Sequence, residues 1–461
     1  MRRVVRVIEQ LFFIFMKRVA FHTLGCKLNY AETSTITRQF RDQGYEVVDI
    51  DGEADVCVIN TCSVTERADR ECRQIIRRTR RHSPDAFVII TGCYAQLQPA
   101  VIASLPGVDA VIGSREKFEI FRHLSDFQRK SETAIHVSAL EGVEEFHIAS
   151  SIDHSDRTRS FLKIQDGCDY SCAFCTIPLA RGGSRSTSIE EVVKQTAEIV
   201  EAGYKEIVLT GVNVGDFGKA HSTNLLALLK ALVNVPKLHR IRISSIEPNL
   251  LSDELLDFWV SQEKLCKHFH IPLQAGTDKL LKAMRRRYLT DWYEGRVLRI
   301  KEQYPRAGIG VDVIAGLPGE SVNDFEDTYQ FLVNMPISYL HVFTYSERPE
   351  TEALRILEKV EPRIRQERSE RLRILSAKKR RSFYESFLGS AVEVLFEAEH
   401  QKGIVSGFSS EYVRVGVQAP KELVNQIAKV TIDTIVEDLC QGVIERALPN
   451  DHQTTVNQEA A

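Results

Sequence analysis

FLKIQDGCDYSCAFCTIPLARG, residues 161–182, runs from a strand-like stretch straight into three cysteines, Cys168, Cys172 and Cys175. The C-x3-C-x2-C spacing brings three thiolates close enough to hold three corners of a cubane 4Fe–4S cluster, leaving one iron without a protein ligand. Electron-carrier clusters close every corner with cysteine, so an open corner marks a place for a chelating small molecule. The molecule this spacing signals is S-adenosylmethionine. Phe174, between the last two cysteines, is expected beside the cluster. A zinc knuckle is the competing reading, but zinc takes four N or S ligands, and this stretch has one close pair and no histidine pair after it.

Around this motif, strand and helix patterns alternate six times between residues 159 and 348. The strands read SFLKIQ (160–165), YKEIVLT (204–210), RIRISS (240–245), FHIPLQ (269–274), GVDVIAG (310–316) and LHVFTYS (340–346). Helical patterns lie between them, at 188–202, 224–233, 252–262, 278–287, 291–303 and 323–333. Ser188 is placed to cap the first, and Gly203 to end it. Six such units predict a partial, open (β/α)6 barrel, with chemistry on the loops at the strands' C-terminal ends. Those loops carry Gly211, Asn213, Glu247, Gln274 and Gly316, candidates to hold the amino, carboxylate and ribose groups of adenosylmethionine. Taken singly, each also reads as ordinary turn chemistry.

Before the barrel, three more apolar runs each end in a turn that carries a cysteine. They are VAFHTLGC, DVCVINTC and AFVIITGC, ending at Cys26, Cys62 and Cys93. Helical stretches between them imply a parallel sheet, whose ligands bind beyond the carboxyl ends of the strands. The three cysteines should then converge on one rim as a second three-ligand cluster site, although they could also be small buried hydrophobes. Gly25 and Gly92, directly before two of them, leave room for a close backbone approach. Cys57, Cys72, Cys266 and Cys440 lack this context and read as core residues.

A charged connector at 352–385 leads to five short alternating strands, the pattern of a small OB-like β-barrel that binds oligonucleotides. The expected division is an extension at 1–16, a cluster domain at 17–127, a linker at 128–158 and the barrel with its basic connector at 159–385. A small β-barrel at 386–446 and a polar tail at 447–461 complete it. The extension is basic then apolar, but too short to span a membrane and without a cleavage-site pattern.

At 43% hydrophobic and 27% charged residues with a net charge of −3, the 461-residue chain has no global basic field, so nucleic-acid contact must come from local clusters. Three are candidates: Arg73, Arg77, Arg78, Arg80 and Arg81; Arg285, Arg286 and Arg287; and Lys378–Arg381. Ten cysteines without dense pairing suit a reducing compartment, the cytoplasm.

From about Lys17 to Glu445 these features resemble the radical S-adenosylmethionine methylthiotransferases, most nearly the MtaB type. The motifs that carry the resemblance are HTLGCKLN (His22–Asn29), residues 161–182, LTGVNVGDFG, HIPLQAG and FTYSERP (Phe343–Pro349). One departure is Glu350, where glycine is expected after the Arg-Pro pair.

The resemblance implies two 4Fe–4S clusters, a C-terminal TRAM domain and methylthiolation of carbon 2 of N6-threonylcarbamoyladenosine at position 37 of tRNA. One adenosylmethionine would methylate a sulfur on the auxiliary cluster. Another, cleaved at the barrel cluster by an electron from a flavodoxin or ferredoxin, would yield a radical that abstracts hydrogen from carbon 2. The expected partner is the tRNA anticodon stem-loop, and the expected state a monomer with no membrane contact. The substrate's threonyl carboxylate would suit a forked arginine, and Arg181 and Arg348 stand at the right loops, although both could be structural ion pairs. Alternatives are the same chemistry on isopentenyladenosine or on a ribosomal-protein aspartate, and a non-catalytic cluster protein that binds RNA or acts as a sensor.

Overall fold

Val56–Thr61 and Phe87–Gly92 are buried along their whole length. Near-continuous Val and Ile runs of this kind belong to strands covered on both faces. In the computed structural model, which describes residues 16–63, 66–152, 158–401 and 403–447, they lie at the centre of a six-stranded parallel sheet. The extension expected at 1–16 and the tail at 447–461 lie outside the described residues except for Met16 and Ala447.

The sheet comprises β1 (Arg18–Thr23), β2 (Glu46–Val48), β3 (Val56–Thr61), β4 (Phe87–Gly92), β5 (Ala110–Ile112) and β6 (Ala134–His136), in spatial order 2-1-3-4-5-6. Helices α1 (Lys27–Asp42) and α2 (Glu66–His82) connect its first strands. Because the order reverses at β1, a crevice opens between the ends of β1 and β3. The stretch 128–158, expected as a linker, instead contributes β6 to this sheet and β7 (Ala149–Ser150) to the next. Both strands are too short to show a period in the sequence.

The barrel strands are β8 (Arg159–Lys163), β9 (Glu206–Thr210), β10 (Arg240–Ile243), β11 (His268–His270), β12 (Gly308–Ala315) and β13 (Tyr339–Thr344). The first three pair in parallel, as do the last three. A bridge from Ile241 to Leu265 joins the two halves. Helices α3 (Ile189–Glu201), α4 (Leu225–Leu232) and α5 (Asp253–Ser261) begin where expected, since Ser188, Asn224 and Ser252 each accept a first-turn N–H. Trp259, Phe269 and Tyr293 are among the large side chains filling the barrel core. Helix α1 packs across β7 and β8 at one edge of the barrel, where its Arg38 donates to the Ser150 carbonyl at 2.7 Å.

Helix α6 (Pro362–Glu385) leads to a closed barrel of β14 (Ala391–Gln401), β15 (Ile404–Ser409), β16 (Arg414–Gln418), β17 (Ile427–Val436) and β18 (Leu439–Ala447). The expected three-part α/β architecture is thus present. Among the described residues, no helix is long and apolar enough to cross a membrane.

The small barrel sits under the N-terminal ends of the large barrel's strands. Arg242 donates to the carbonyls of Ser409 and Ser410 at 3.0 and 3.1 Å, and Arg240 to that of Phe408 at 3.3 Å. Contact is so close at Gly308 that a Cβ there would lie 2.0 Å from the Glu411 carbonyl oxygen.

Buried Glu206 neutralises part of this arginine cluster, bonding Arg242 at 2.8 Å with Arg240 and Arg159 nearby. Burial alone would raise its pKa, but the three arginines outweigh burial and lower it from 4.5 to about 2. The stabilisation is therefore complete above about pH 4.5 and is lost as pH falls through about 2. Urea midpoints should place Glu206→Gln well below the parent at pH 7, with the gap narrowing below pH 4.5.

Candidate active site

The Cys168–Cys175 loop leaves β8 and returns through the short helix Ile177–Arg181. Cys168 N–H donates to the Gly182 carbonyl at 3.0 Å, and Ala173 N–H to that of Met284 at 3.1 Å, fixing the loop at both ends. Each sulfur then receives a donor. Tyr170 N–H lies 3.4 Å from Cys168 Sγ, Ile177 N–H 3.4 Å from Cys175 Sγ, and Arg286 Nη1 3.0 Å from Cys172 Sγ. Burial pushes the Cys168 and Cys175 thiols up to about 12, so without metal they keep their protons. Metal binding displaces such protons, and donors aimed at all three sulfurs suit thiolates that ligate iron. The residues fit three corners of a cluster.

Cys26, Cys62 and Cys93 follow β1, β3 and β4, so they converge at the sheet's switch point. Cys93 lies within electrostatic reach of Cys26. Gly25 has φ +102°, and a Cβ on it would lie 2.7 Å from the Cys62 Cβ, so only glycine lets the two turns meet. Asn29 pins them by donating to the Leu24 and Thr61 carbonyls at 2.8 and 3.0 Å. Cys26 is also the N-cap of α1, and burial raises its thiol pKa with Arg181 acting the other way, so like the barrel cysteines it keeps its proton without metal. This triad too fits three corners of a cluster. Cys57, Cys72, Cys266 and Cys440 are fully buried in the core.

Two cavities open between the triads. The smaller, 190 Å³, is lined by Phe174, Cys175 and Gln274. The larger, 750 Å³, lies between Cys26 and Cys62 on one wall and Gly211, Ser244 and His270 on the other. Asp312 and Phe343 line both. His270 Nε2 contacts Asp312 at 2.6 Å, and its Nδ1 faces the Ser244 carbonyl at 2.9 Å. His341 stands beside this pair, ring centroids 5.1 Å apart. At the far end the small barrel contributes Tyr412, stacked on His268 at 4.4 Å.

Residues predicted from the sequence divide in their placement. Phe174 and Gln274 stand with Cys175, and Gly211 lines the larger cavity. Asn213 is buried one layer below, its N–H on Gln165 at 2.8 Å and its amide on Asp216 at 3.0 Å. Glu247 is ion-paired to Arg286 beside Cys172. Gly316 is elsewhere: a Cβ there would lie 2.3 Å from the Arg365 side chain of α6, so it serves helix packing.

Arg181 and Arg348, read as carboxylate forks, are structural ion pairs joining the first two domains. Arg181, 2% exposed, spans Glu32, Asp166 and Asn29 at 3.0, 2.9 and 2.6 Å. Arg348 bonds Asp69 and Ser63 at 2.8 and 2.6 Å.

Of the basic clusters, Arg286 serves the cysteine loop, Arg287 lies 3.7 Å over the Tyr170 ring, and Arg80 bonds Asp109 at 2.5 Å. Lys379 caps the Val333 and Met335 carbonyls. Glu350, the departure from the expected glycine, has φ +64°. Glu350→Gly should therefore raise stability by roughly 0.5–1 kcal/mol, read as a higher urea midpoint.

The sequence reading missed His270, Asp312, His341 and Arg286. The signal for the first three was present, since each is a polar residue inside a stretch read as a barrel strand.

The family model described as Uncharacterized protein family UPF0004 matches residues 18–113, and that of the Radical SAM superfamily matches residues 162–332. A Bacillus subtilis (strain 168) protein called threonylcarbamoyladenosine tRNA methylthiotransferase MtaB is 38% identical over 423 residues, covering 90% of this chain and 94% of that one. Its Aquifex aeolicus counterpart of the same name is 39% identical over 415 residues, 90% of this chain and 100% of that one. The solved radical S-adenosylmethionine methyltransferase TsrM from Kitasatospora setae shares the fold at a TM-score of 0.53 and 16% identity, over 74% of this chain and 77% of that one. With its two cysteine triads on either side of a shared cavity wall, the chain belongs to the radical S-adenosylmethionine methylthiotransferase family, in its MtaB branch.

Proposed function

We propose that the protein methylthiolates carbon 2 of N6-threonylcarbamoyladenosine at position 37 of tRNA. The observation that carries this reading is that Cys175 of one triad and Cys26 and Cys62 of the other line adjoining cavities that share Asp312 and Phe343, so a base inserted there stands between the two triads. The names of the Bacillus and Aquifex relatives support the choice of nucleoside over isopentenyladenosine or an aspartate side chain.

In this reading Cys168, Cys172 and Cys175 hold the adenosylmethionine-binding cluster, and Cys26, Cys62 and Cys93 hold the auxiliary one. Bound there, the clusters and adenosylmethionine supply a carbon radical that removes hydrogen from carbon 2 and a methylthio group to replace it. Carbon 2 has no acidic proton, so side-chain acid–base chemistry alone would not suffice. The chain's own part is positioning. Phe174 and Gln274 shape the adenosylmethionine side, with Glu247 held near it by Arg286. Phe343 offers the base a ring face, and the His270–Asp312 pair offers its edge polar contacts.

Residues 17–127 act as the auxiliary-cluster domain, 159–385 as the radical barrel and 386–446 as the grip on the tRNA body. The enzyme works as a cytoplasmic monomer fed by a flavodoxin- or ferredoxin-type electron donor.

The test is anaerobic reconstitution with adenosylmethionine, reductant and tRNA carrying the threonylcarbamoyl nucleoside, followed by nucleoside mass spectrometry. The expected product is 2-methylthio-N6-threonylcarbamoyladenosine. Release of 5′-deoxyadenosine without any methylthio nucleoside would overturn the reading.

A further inference from the structure

With the forks of Arg181 and Arg348 committed elsewhere, the threonylcarbamoyl carboxylate needs another reader. We propose that Lys27 binds it and so selects a carboxylate-bearing adenosine over one with an apolar N6 group; this rests on the function proposed above.

Lys27 is the first residue of α1, directly after Cys26, and lines the larger cavity. Among the described residues it makes no hydrogen bond or ion pair. A half-buried ammonium without a partner is costly in an isolated chain, and such groups are normally paired. Among the described residues, no carboxylate bonds it. Glu206 is shared among Arg159, Arg240 and Arg242, and Asp312 is held by His270. Glu71 also lines the cavity, without bonding Lys27.

The surroundings add positive charge. Arg159 and Arg242 lie within electrostatic reach of Lys27, together with Tyr412 and the Glu206 carboxylate those arginines share, and α1 starts without a side-chain cap, so its N-terminal end adds partial positive charge. Cavity, ammonium and uncapped helix together make an anion site.

Its place also suits this substrate. In adenine, C6 and C2 flank N1 on one edge, so a carboxylate hung from N6 extends along the edge that receives the methylthio group. A reader of that carboxylate must stand beside the sulfur-delivering cysteines, and Lys27 is next to Cys26. One ammonium gives one carboxylate a point charge, without needing the fork geometry of arginine.

The experiment uses anaerobic holoenzyme with both clusters verified by iron content. Three anticodon stem-loops serve as probes, carrying N6-threonylcarbamoyladenosine, its carboxyl methyl ester, or isopentenyladenosine. The parent should bind the acid about tenfold or more tightly than the ester. Lys27→Met should bind acid and ester alike, near the parent's ester value, with unchanged cluster absorption and EPR spectra. Lys27→Arg should recover part of the discrimination.

Acid-over-ester discrimination kept intact in Lys27→Met overturns the proposal. So does equal weakening of all three RNAs together with an altered auxiliary-cluster spectrum, which would make Lys27 a counter-ion of the cluster. Failure of the function proposed above shows separately, as a parent enzyme that methylthiolates none of the RNAs.

Discussion

Cys168→Ala should abolish both 5′-deoxyadenosine and methylthio product, whereas Cys26→Ala should abolish the methylthio product and keep 5′-deoxyadenosine. Each loss should exceed about a thousandfold, since no other side chain can supply the missing chemistry. The asymmetry follows from the geometry. Cys168 belongs to the loop that receives donors from Tyr170, Ile177 and Arg286, beside the 190 Å³ cavity with Phe174 and Gln274. Cys26 lies across the larger cavity on the other domain. Anaerobic assays that count both products from one reaction decide it. If both variants lose 5′-deoxyadenosine equally, the two triads do not work as separate centres. Iron content should fall by about half in either variant, four of eight irons, and so report folding of the remaining site.

Glu32→Gln should lower stability by about 3–5 kcal/mol, more than any surface substitution in the chain. Glu32, fully buried on α1, is bonded to Lys117, Lys163 and Arg181 at 2.6, 3.2 and 3.0 Å. Burial alone would raise its pKa, but Arg181, Lys117 and Lys163 overcome burial and hold the carboxyl far below the usual carboxylate range. Removing its charge leaves three buried cations facing Asp166 alone. Lys163, Asp166 and Arg181 belong to the barrel, while Glu32 and Lys117 belong to the cluster domain, so the change also loosens the junction that holds the two triads in register. Chemical denaturation at neutral pH gives the number, and a loss below about 1 kcal/mol would show that the network adds nothing beyond surface pairing. Because the folded-state pKa is depressed, this contribution is present at neutral pH and is lost only in strong acid.

The two arginines explain why part of the site was hidden in the sequence. Arg181 and Arg348 lie in strand-end loops, and in such loops an arginine reads equally well as substrate fork or structural pair. Their partners, Glu32 and Asp69, are 149 and 279 residues away. Nothing local to either loop distinguishes the two roles. Gly316 misled for the same reason, since its φ of +80° and its contact with Arg365 answer to a helix that comes some fifty residues later. Arg286 sat within a run of three arginines that read as a candidate nucleic-acid cluster, yet only the fold turns it onto the Cys172 sulfur.

What the sequence determined by itself was periodic or closely spaced. The cysteine motif, the six strand–helix units, the three strand–turn–cysteine repeats and the Ser188 cap each depend on residues within one or two turns of chain, where geometry is set locally. Tertiary structure alone decided which polar groups remain free. It gave Glu32 to Arg181, Asp69 to Arg348 and Glu206 to three arginines, brought Tyr412 from the last domain into the cavity, and left the Lys27 side chain there without a hydrogen bond or ion pair among the described residues. Ion pairing between distant segments is a property of the folded surface, because a charge finds its partner only once both elements are packed against each other.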